Sequence, residues 1–278
     1  MSTSPFNRKI MIQEIINWLK SLFKKSHILP PSTGGTVNYA PNINYPLANW
    51  IPYMSLPYRT QWEQTWDEDN CATRAAIEVL EAILNYYLKN NLFSQPIVDF
   101  LNKNGFINSL GWVKLSIRYS ATTNNTTSNG VSVDTVFDNF NICGVVPESW
   151  YPDPPTPFSW NTYYAPVPQN IIELGEQLAK LIKVDWTVIV NDDWQTPNIP
   201  LLQQHLQNCP IYFASNYGSI VNGIEQPNTT YLKYEHARVL CTVDNYLEVL
   251  DSYVQDYNDK MSLSCPLACC IACKIEIL

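Results

Sequence analysis

The chain has 278 residues, 46% hydrophobic and 13% aromatic, enough for one large core or two smaller ones. A net charge of −8 and a pI near 4.9 exclude nucleic acid as the main partner, because phosphate binding needs a basic face. Eight cysteines do not make a disulfide scaffold here, since four of them crowd into residues 265–273, poor geometry for bridging a domain of this size.

Residues 10–25, IMIQEIINWLKSLFKK, carry Ile12, Ile15, Ile16, Leu19, Leu22 and Phe23 on one helical stripe. Gln13, Glu14, Asn17 and Lys20 interrupt the apolar run that an export signal needs, and nowhere does the chain reach the ~18 apolar residues of a transmembrane segment. Residues 1–25 therefore read as an amphipathic helix that packs on its own protein or docks on a protein partner, in a cytoplasmic or virion-associated molecule. Residues 26–48 are rich in Pro, Gly and Asn and form a linker, and the main domain occupies 49–278.

The first half of that domain is helical. Two acids and an asparagine, Asp67–Glu68–Asp69–Asn70, run into Cys71, and an apolar-periodic helix follows from Ala72 to about Leu88, capped by Asp69 or Asn70 and burying Ala76, Leu80, Leu84, Tyr87 and Leu88. SQPIVDFLNKNG is a shorter helix with Pro96 early and Gly105 past its end. SATTNNTTSNG reads as a polar loop, SVDTVFDNFNICG as a helix between Ser132 and Gly144, and ESWYPDPPTPFSW as irregular chain. After Ile182 the period changes from 3.6 to 2. VDWTVIV is a strand, IPLLQQHLQNC a helix, PIYFAS a strand, HARVLCTVDNYLEVL a hairpin turning at Asp244–Asn245, and ACCIACKIEIL a closing strand. Helices first and antiparallel strands second is α+β order.

A thiol at the first turn of the best helix has a chemical use, because the peptide dipoles there favour a thiolate. It needs a base, and the chain has three histidines. His27 lies in the linker, and His205 falls on the polar side of its helix and reads as surface. His236 opens the first strand of the hairpin, where an imidazole projects into a cleft. A third group should accept the ring's other N–H, and Asp251 ends the neighbouring strand. The closing segment has C-x3-C-C-x2-C spacing, but alternate residues on a strand face opposite sides, so Cys269 and Cys270 do not converge on one metal. These cysteines read as small hydrophobes, with no metal and no cofactor expected. Free thiols fit a reducing compartment, and lipidation near the C-terminus stays open.

These segments, in this order, resemble the papain-like cysteine peptidases. NCATRAAIEVLE is similar to the family's central helix with its nucleophile, NGVSVDTVFDNFNICGVVPESWYP to its glycine loop, helix and Tyr-Pro turn, and HARVLCTV with VLDSY to the segments of the catalytic histidine and its orienting residue. The resemblance spans residues 49–255. It implies a helical lobe whose central helix opens at the nucleophile, packed on an antiparallel sheet lobe. It implies a Cys71–His236–Asp251 triad, with Asp where the family usually has Asn. Gln64, seven residues before Cys71, is the favoured oxyanion-hole donor over Gln61, and Asn129 and Gly130 would bind an extended substrate backbone. Trp150 and Tyr253 would cover the His236–Asp251 pair. The Gly and second Cys usual before the nucleophile are missing, and the acids at 67–69 oppose a thiolate by like charge. Residues 1–48 are too short and too Pro-rich to resemble an inhibitory propeptide. The leader, linker and domain together are similar to bacteriophage and bacterial papain-like proteins. Three functions follow: a peptidase acting on polypeptide or on peptidoglycan peptides, an inactive fold serving as a structural or binding component of an assembly such as a phage particle, or a transglutaminase-type acyl transferase.

Overall fold

The structure, a computed structural model, describes residues 49–57, 69–190, 196–228, 236–252 and 259–278. The helix expected at 10–25, the linker at 26–48, and Gln61, Gln64 and Tyr253 lie outside these residues.

The central helix, α1, runs Cys71–Lys89. It was expected to bury one stripe, but every residue from Ala72 to Tyr87 is buried and only Leu88 among the expected core positions is half-exposed. A helix enclosed on all sides must satisfy its polar side chains internally, and these become staples. Asn85 Nδ2 donates to the Tyr53 carbonyl (3.1 Å) and Ser55 Oγ (2.8 Å), while its Oδ1 accepts from the Val113 amide at 2.7 Å. Glu81 Oε1 accepts from the Leu115 amide at 2.6 Å. The chain before the helix and the segment 113–115 are thereby fixed to it. Asn70 does occupy the cap position, yet its side chain makes no capping bond; it donates to the Tyr163 hydroxyl at 2.8 Å and accepts from Arg74 Nε at 2.9 Å.

Around α1 stand α2 (Gln95–Lys103), α3 (Ile117–Thr123), α4 (Val133–Ile142), a single turn α5 (Trp160–Tyr163), α6 (Gln169–Ala179) and, within the strand half, α7 (Ile199–Leu206). Two departures from the sequence reading concern this layer. Residues 120–123 are helix and not loop, because Ser116 caps α3 by accepting from the Tyr119 amide and Ile117 and Tyr119 are drawn into the core. Helix α6 was missed altogether. It closes on α4 where Gly144, at φ +62, passes so near Gly175 that a Cβ would stand 1.9 Å from the Gly175 carbonyl oxygen.

The strands are β1 (Ile182–Val190), β2 (Ile211–Ser215), β3 (Ile220–Val221), β4 (Ile224–Glu225), β5 (His236–Val243), β6 (Leu247–Leu250), β7 (Asp259–Met261) and β8 (Ala268–Ile277). They form one sheet in the order β1-β8-β2-β5-β6-β7-β4-β3, with β4 and β7 parallel and the other described pairings antiparallel. Strand β8 fills the place between β1 and β2, so the closing segment is interior sheet, and the buried Cys270 and Cys273 are core there. Helix α1 packs across β5, and buried side chains of helices and sheet make one continuous core.

Register in the β5–β6 hairpin places the site. Val243 faces Leu247 and Thr242 faces Glu248, a three-residue turn and not the two-residue turn expected. Cys241 is then an extra residue, after which Leu240 faces Val249 and Val239 faces Leu250. One step further, Asp251 falls opposite Arg238, two residues from His236 on the same face of β5. Without that bulge the one-residue offset of the turn would turn Asp251 to the other face. No helix among the described residues is long and apolar enough to cross a membrane.

Candidate active site

Cys71, half-buried, is the first residue of α1. Asp69 leads into it with a left-handed backbone (φ 51), a conformation that Asp tolerates better than most residues. Beside it lies a tight turn in which the Thr127 and Gly130 amides each donate to the other's carbonyl, at 3.2 and 2.8 Å. Gly130 has φ +74, and a Cβ there would stand 3.7 Å from the Asp69 carbonyl oxygen. The expected glycine thus sits against the chain leading into Cys71, and Asn129 is exposed on the same turn.

His236 is buried, and its Nε2 is 2.8 Å from Asp251 Oδ1. Cys71 stands near enough to the ring to raise its pKa. Burial pulls the imidazole's pKa down, but the hydrogen bonds and charges of Asp251 and Cys71 outweigh it, and the net shift is upward. His236 and Asp251 are thus in direct contact, and Cys71 bears on the same ring.

Several neighbours were not foreseen. The ring stacked on His236 is Tyr217, with centroids 5.3 Å apart and planes at 25°, and its hydroxyl donates to Asp251 Oδ2 at 2.7 Å. Trp150, expected to cover the pair, is 43% exposed and lies against Gly105. Arg238, fully buried, puts Nε 2.8 Å from Asp251 Oδ2. That N–H is not aligned on the oxygen, so the contact is an ion pair more than a directed hydrogen bond. Its Nη1 reaches Glu225 Oε2 at 2.7 Å, and the guanidinium lies 4.1 Å from the Tyr217 ring centroid. Glu225 Oε1 in turn accepts from the Gly218 amide at 2.8 Å. Arg238 carried one legible signal: on a strand, residues 236 and 238 share a face. Tyr217 and Glu225 carried none, because only the β3–β4 turn and the long-range pairing of β4 with β7 bring them here.

Tyr212 on β2 is a second unforeseen neighbour. Burial raises its pKa well above a phenol's, and the charges of Cys71 and Cys269 push the same way, so it stands near Cys71 as a neutral hydroxyl. His205 contradicts its reading as a surface residue. It is buried, with a pKa lowered by that burial, because α7 packs on β2 and β5 and its polar side is not free.

No protein-family model and no curated protein sequence matches the chain. Solved structures do. Xylellain, a cysteine protease from Xylella fastidiosa, is similar with a TM-score of 0.54 at 13% identity, over 83% of this chain and 86% of that one. A clostridial cysteine protease, Cwp84 after propeptide cleavage, gives 0.54 at 13% identity over 82% of this chain and 57% of that one. The cysteine protease and lectin-like domains of the surface layer associated Cwp84 of Clostridium difficile give 0.54 at 12% identity, over 81% and 50%. The chain therefore spans about half of the Cwp84 structures it matches. The helical part, the sheet and their order agree with these neighbours at identities too low to carry more than architecture, and the conclusion is a divergent papain-like fold.

Proposed function

We propose that the chain is a papain-like cysteine peptidase, a thiol-dependent amide hydrolase with Cys71 as nucleophile, His236 as general acid and base, and Asp251 as the residue that orients the imidazole. The observation that supports this reading is a buried imidazole 2.8 Å from a buried carboxylate, with a helix-start thiol near enough to bear on the same ring. The Cys71 sulfur adds to the substrate carbonyl carbon, and the carbonyl electron pair moves to oxygen. Orphan amides at the α1 N-terminus and the Gln64 side chain would receive that oxyanion. The C–N bond then breaks as the proton on His236 Nδ1 passes to the leaving amine, giving a thioester. Water gives a proton to Nδ1 and attacks the thioester, the C–S bond breaks with its electron pair on sulfur, the carboxylic acid product is released and the Cys71 thiolate is regenerated. The chemistry calls for no metal and no cofactor.

The substrate on this reading is an extended polypeptide, peptidoglycan peptides included, laid along the Thr127–Gly130 turn with Asn129 and Gly130 contacting its backbone. The helix expected at 10–25 would hold the enzyme on a protein partner. Incubation with a mixed peptide library, followed by mass spectrometry, tests the reading. Cleavage that disappears in Cys71→Ala is the expected result. Amide products formed with an added amine would replace hydrolysis by acyl transfer, and no Cys71-dependent product at all would overturn the enzyme reading in favour of a structural role.

A further inference from the structure

The carboxylate of Asp251 is held from two sides. Oδ1 faces His236 Nε2 at 2.8 Å, and Oδ2 faces the Tyr217 hydroxyl at 2.7 Å and Arg238 Nε at 2.8 Å. All of this is closed to water: the side chains of His236, Arg238 and Asp251 are 0% exposed. Glu225 at 2.7 Å and the Met261 sulfur at 3.2 Å fix Arg238 Nη1, so the guanidinium cannot swing away from Asp251. Asp259 on β7 also faces this cluster, where burial and the charges of Asp251 and Glu225 raise its pKa against the pull of Arg238.

We infer that Arg238 is a positioning residue that makes position 251 obligatorily a carboxylate, its buried charge claiming one oxygen so that the other is left to take the His236 Nε2–H. The inference rests on the Cys71–His236 reading above and deepens it. An arginine donates and never accepts, whereas a tyrosine hydroxyl can do either by rotating. An asparagine at 251 would have to turn its carbonyl oxygen toward Arg238, because the partial positive charge of an amide NH2 would otherwise stand against the buried guanidinium that now faces Oδ2 at 2.8 Å. That leaves NH2 facing His236 Nε2, which must then accept. The ring proton moves to Nδ1, the nitrogen that has to receive the Cys71 proton, and the tautomer is wrong for catalysis. The papain-like fold usually supplies an asparagine here, as the sequence resemblance indicates, so in this chain the exchange of Asn for Asp and the arginine belong together.

The test compares wild type, Asp251→Asn, the neutralised pair Arg238→Met/Glu225→Gln, and the triple variant, with folding of each checked by thermal melting. Two readouts are used: the rate of Cys71 alkylation by iodoacetamide, and ¹⁵N chemical shifts of His236 above its titration. Asp251→Asn should slow alkylation by at least about 10²-fold, the scale of a misplaced general base, and should show the Nδ1–H tautomer. The triple variant should recover to within about tenfold of wild type and return to Nε2–H, because Tyr217 alone can rotate to accept the amide. An Asp251→Asn protein with the wild-type rate and Nε2–H would overturn the inference, as would a triple variant still locked in the Nδ1–H form. Should the triple variant fail to fold, the tautomer of the near-isosteric Asp251→Asn still decides. If wild-type labelling proves independent of His236, the peptidase reading fails while the tautomer pattern continues to judge the role of Arg238.

Discussion

Truncating Asp251 to alanine tests how much the buried network holds the fold as well as the site. The substitution removes the 2.8 Å bond to His236, the 2.7 Å bond from Tyr217 and the 2.8 Å ion contact with Arg238, and leaves that guanidinium at 0% exposure. Removing one partner of a buried pair costs about 3–5 kcal/mol, because the charge left behind has lost its compensation. Glu225 still engages Arg238 Nη1 at 2.7 Å, so the lower end applies, about 3 kcal/mol. At about 2–4 °C per kcal/mol for a chain approaching this size, Tm should fall by ~6–12 °C. Thermal and urea denaturation of wild type, Asp251→Ala and Asp251→Asn measure it, with Asp251→Asn the milder because it keeps shape and one acceptor. A loss under about 1 kcal/mol for Asp251→Ala is what a solvent-screened pair would give, and it would refute the enclosed network.

Other outcomes follow from the same geometry. The raised pKa of His236 means that its contribution to stability is complete below the unfolded-state value of about 6.5 and is lost as pH rises through the folded-state value, so the stability gap between wild type and His236→Gln should close from pH 6 toward pH 9. A gap that widened over that range would contradict the assigned partners. Gly144→Ala should destabilise by about 2–5 kcal/mol, from left-handed strain and from the Gly175 carbonyl a Cβ would strike, as read by urea midpoint. Asn85→Ala removes three hydrogen bonds and strands the Val113 amide, for a loss of about 3 kcal/mol. Gly130→Val should raise KM for peptides more than it lowers kcat, because it narrows the turn beside Asp69 without touching the triad; a pure kcat effect would remove that turn from the substrate path.

The α+β order was legible because the hydrophobic period itself changes near Ile182, and local period decides local structure. The place of Cys71 at a helix start was legible because capping-type residues, a thiol and an apolar-periodic run stand in line. His236 and Asp251 could be paired from the hairpin, yet the alignment depends on a bulge at Cys241 that no local pattern announced. Helix α6 was hidden by the prolines before it. The enclosure of α1 escaped the stripe reading, since Glu81 and Asn85 look like a solvent face until their partners from distant segments are known. His205 failed for the same reason: polarity along one helix says nothing of what another layer brings against it. Arg238 reads as a break in an apolar strand, and its meaning comes from Glu225 and Tyr217, which the β-sheet alone delivers.

The central claim is that Cys71 and His236 form an activated pair, and site-mapped alkylation at pH 6 tests it most directly. Burial drives the thiol pKa of Cys143, Cys241, Cys270 and Cys273 upward and that of Cys265 to about 11, so these cysteines should stay silent at that pH. The account predicts a single fast adduct on Cys71 that disappears in His236→Ala. An unreactive Cys71, or one labelled equally fast without His236, would contradict it.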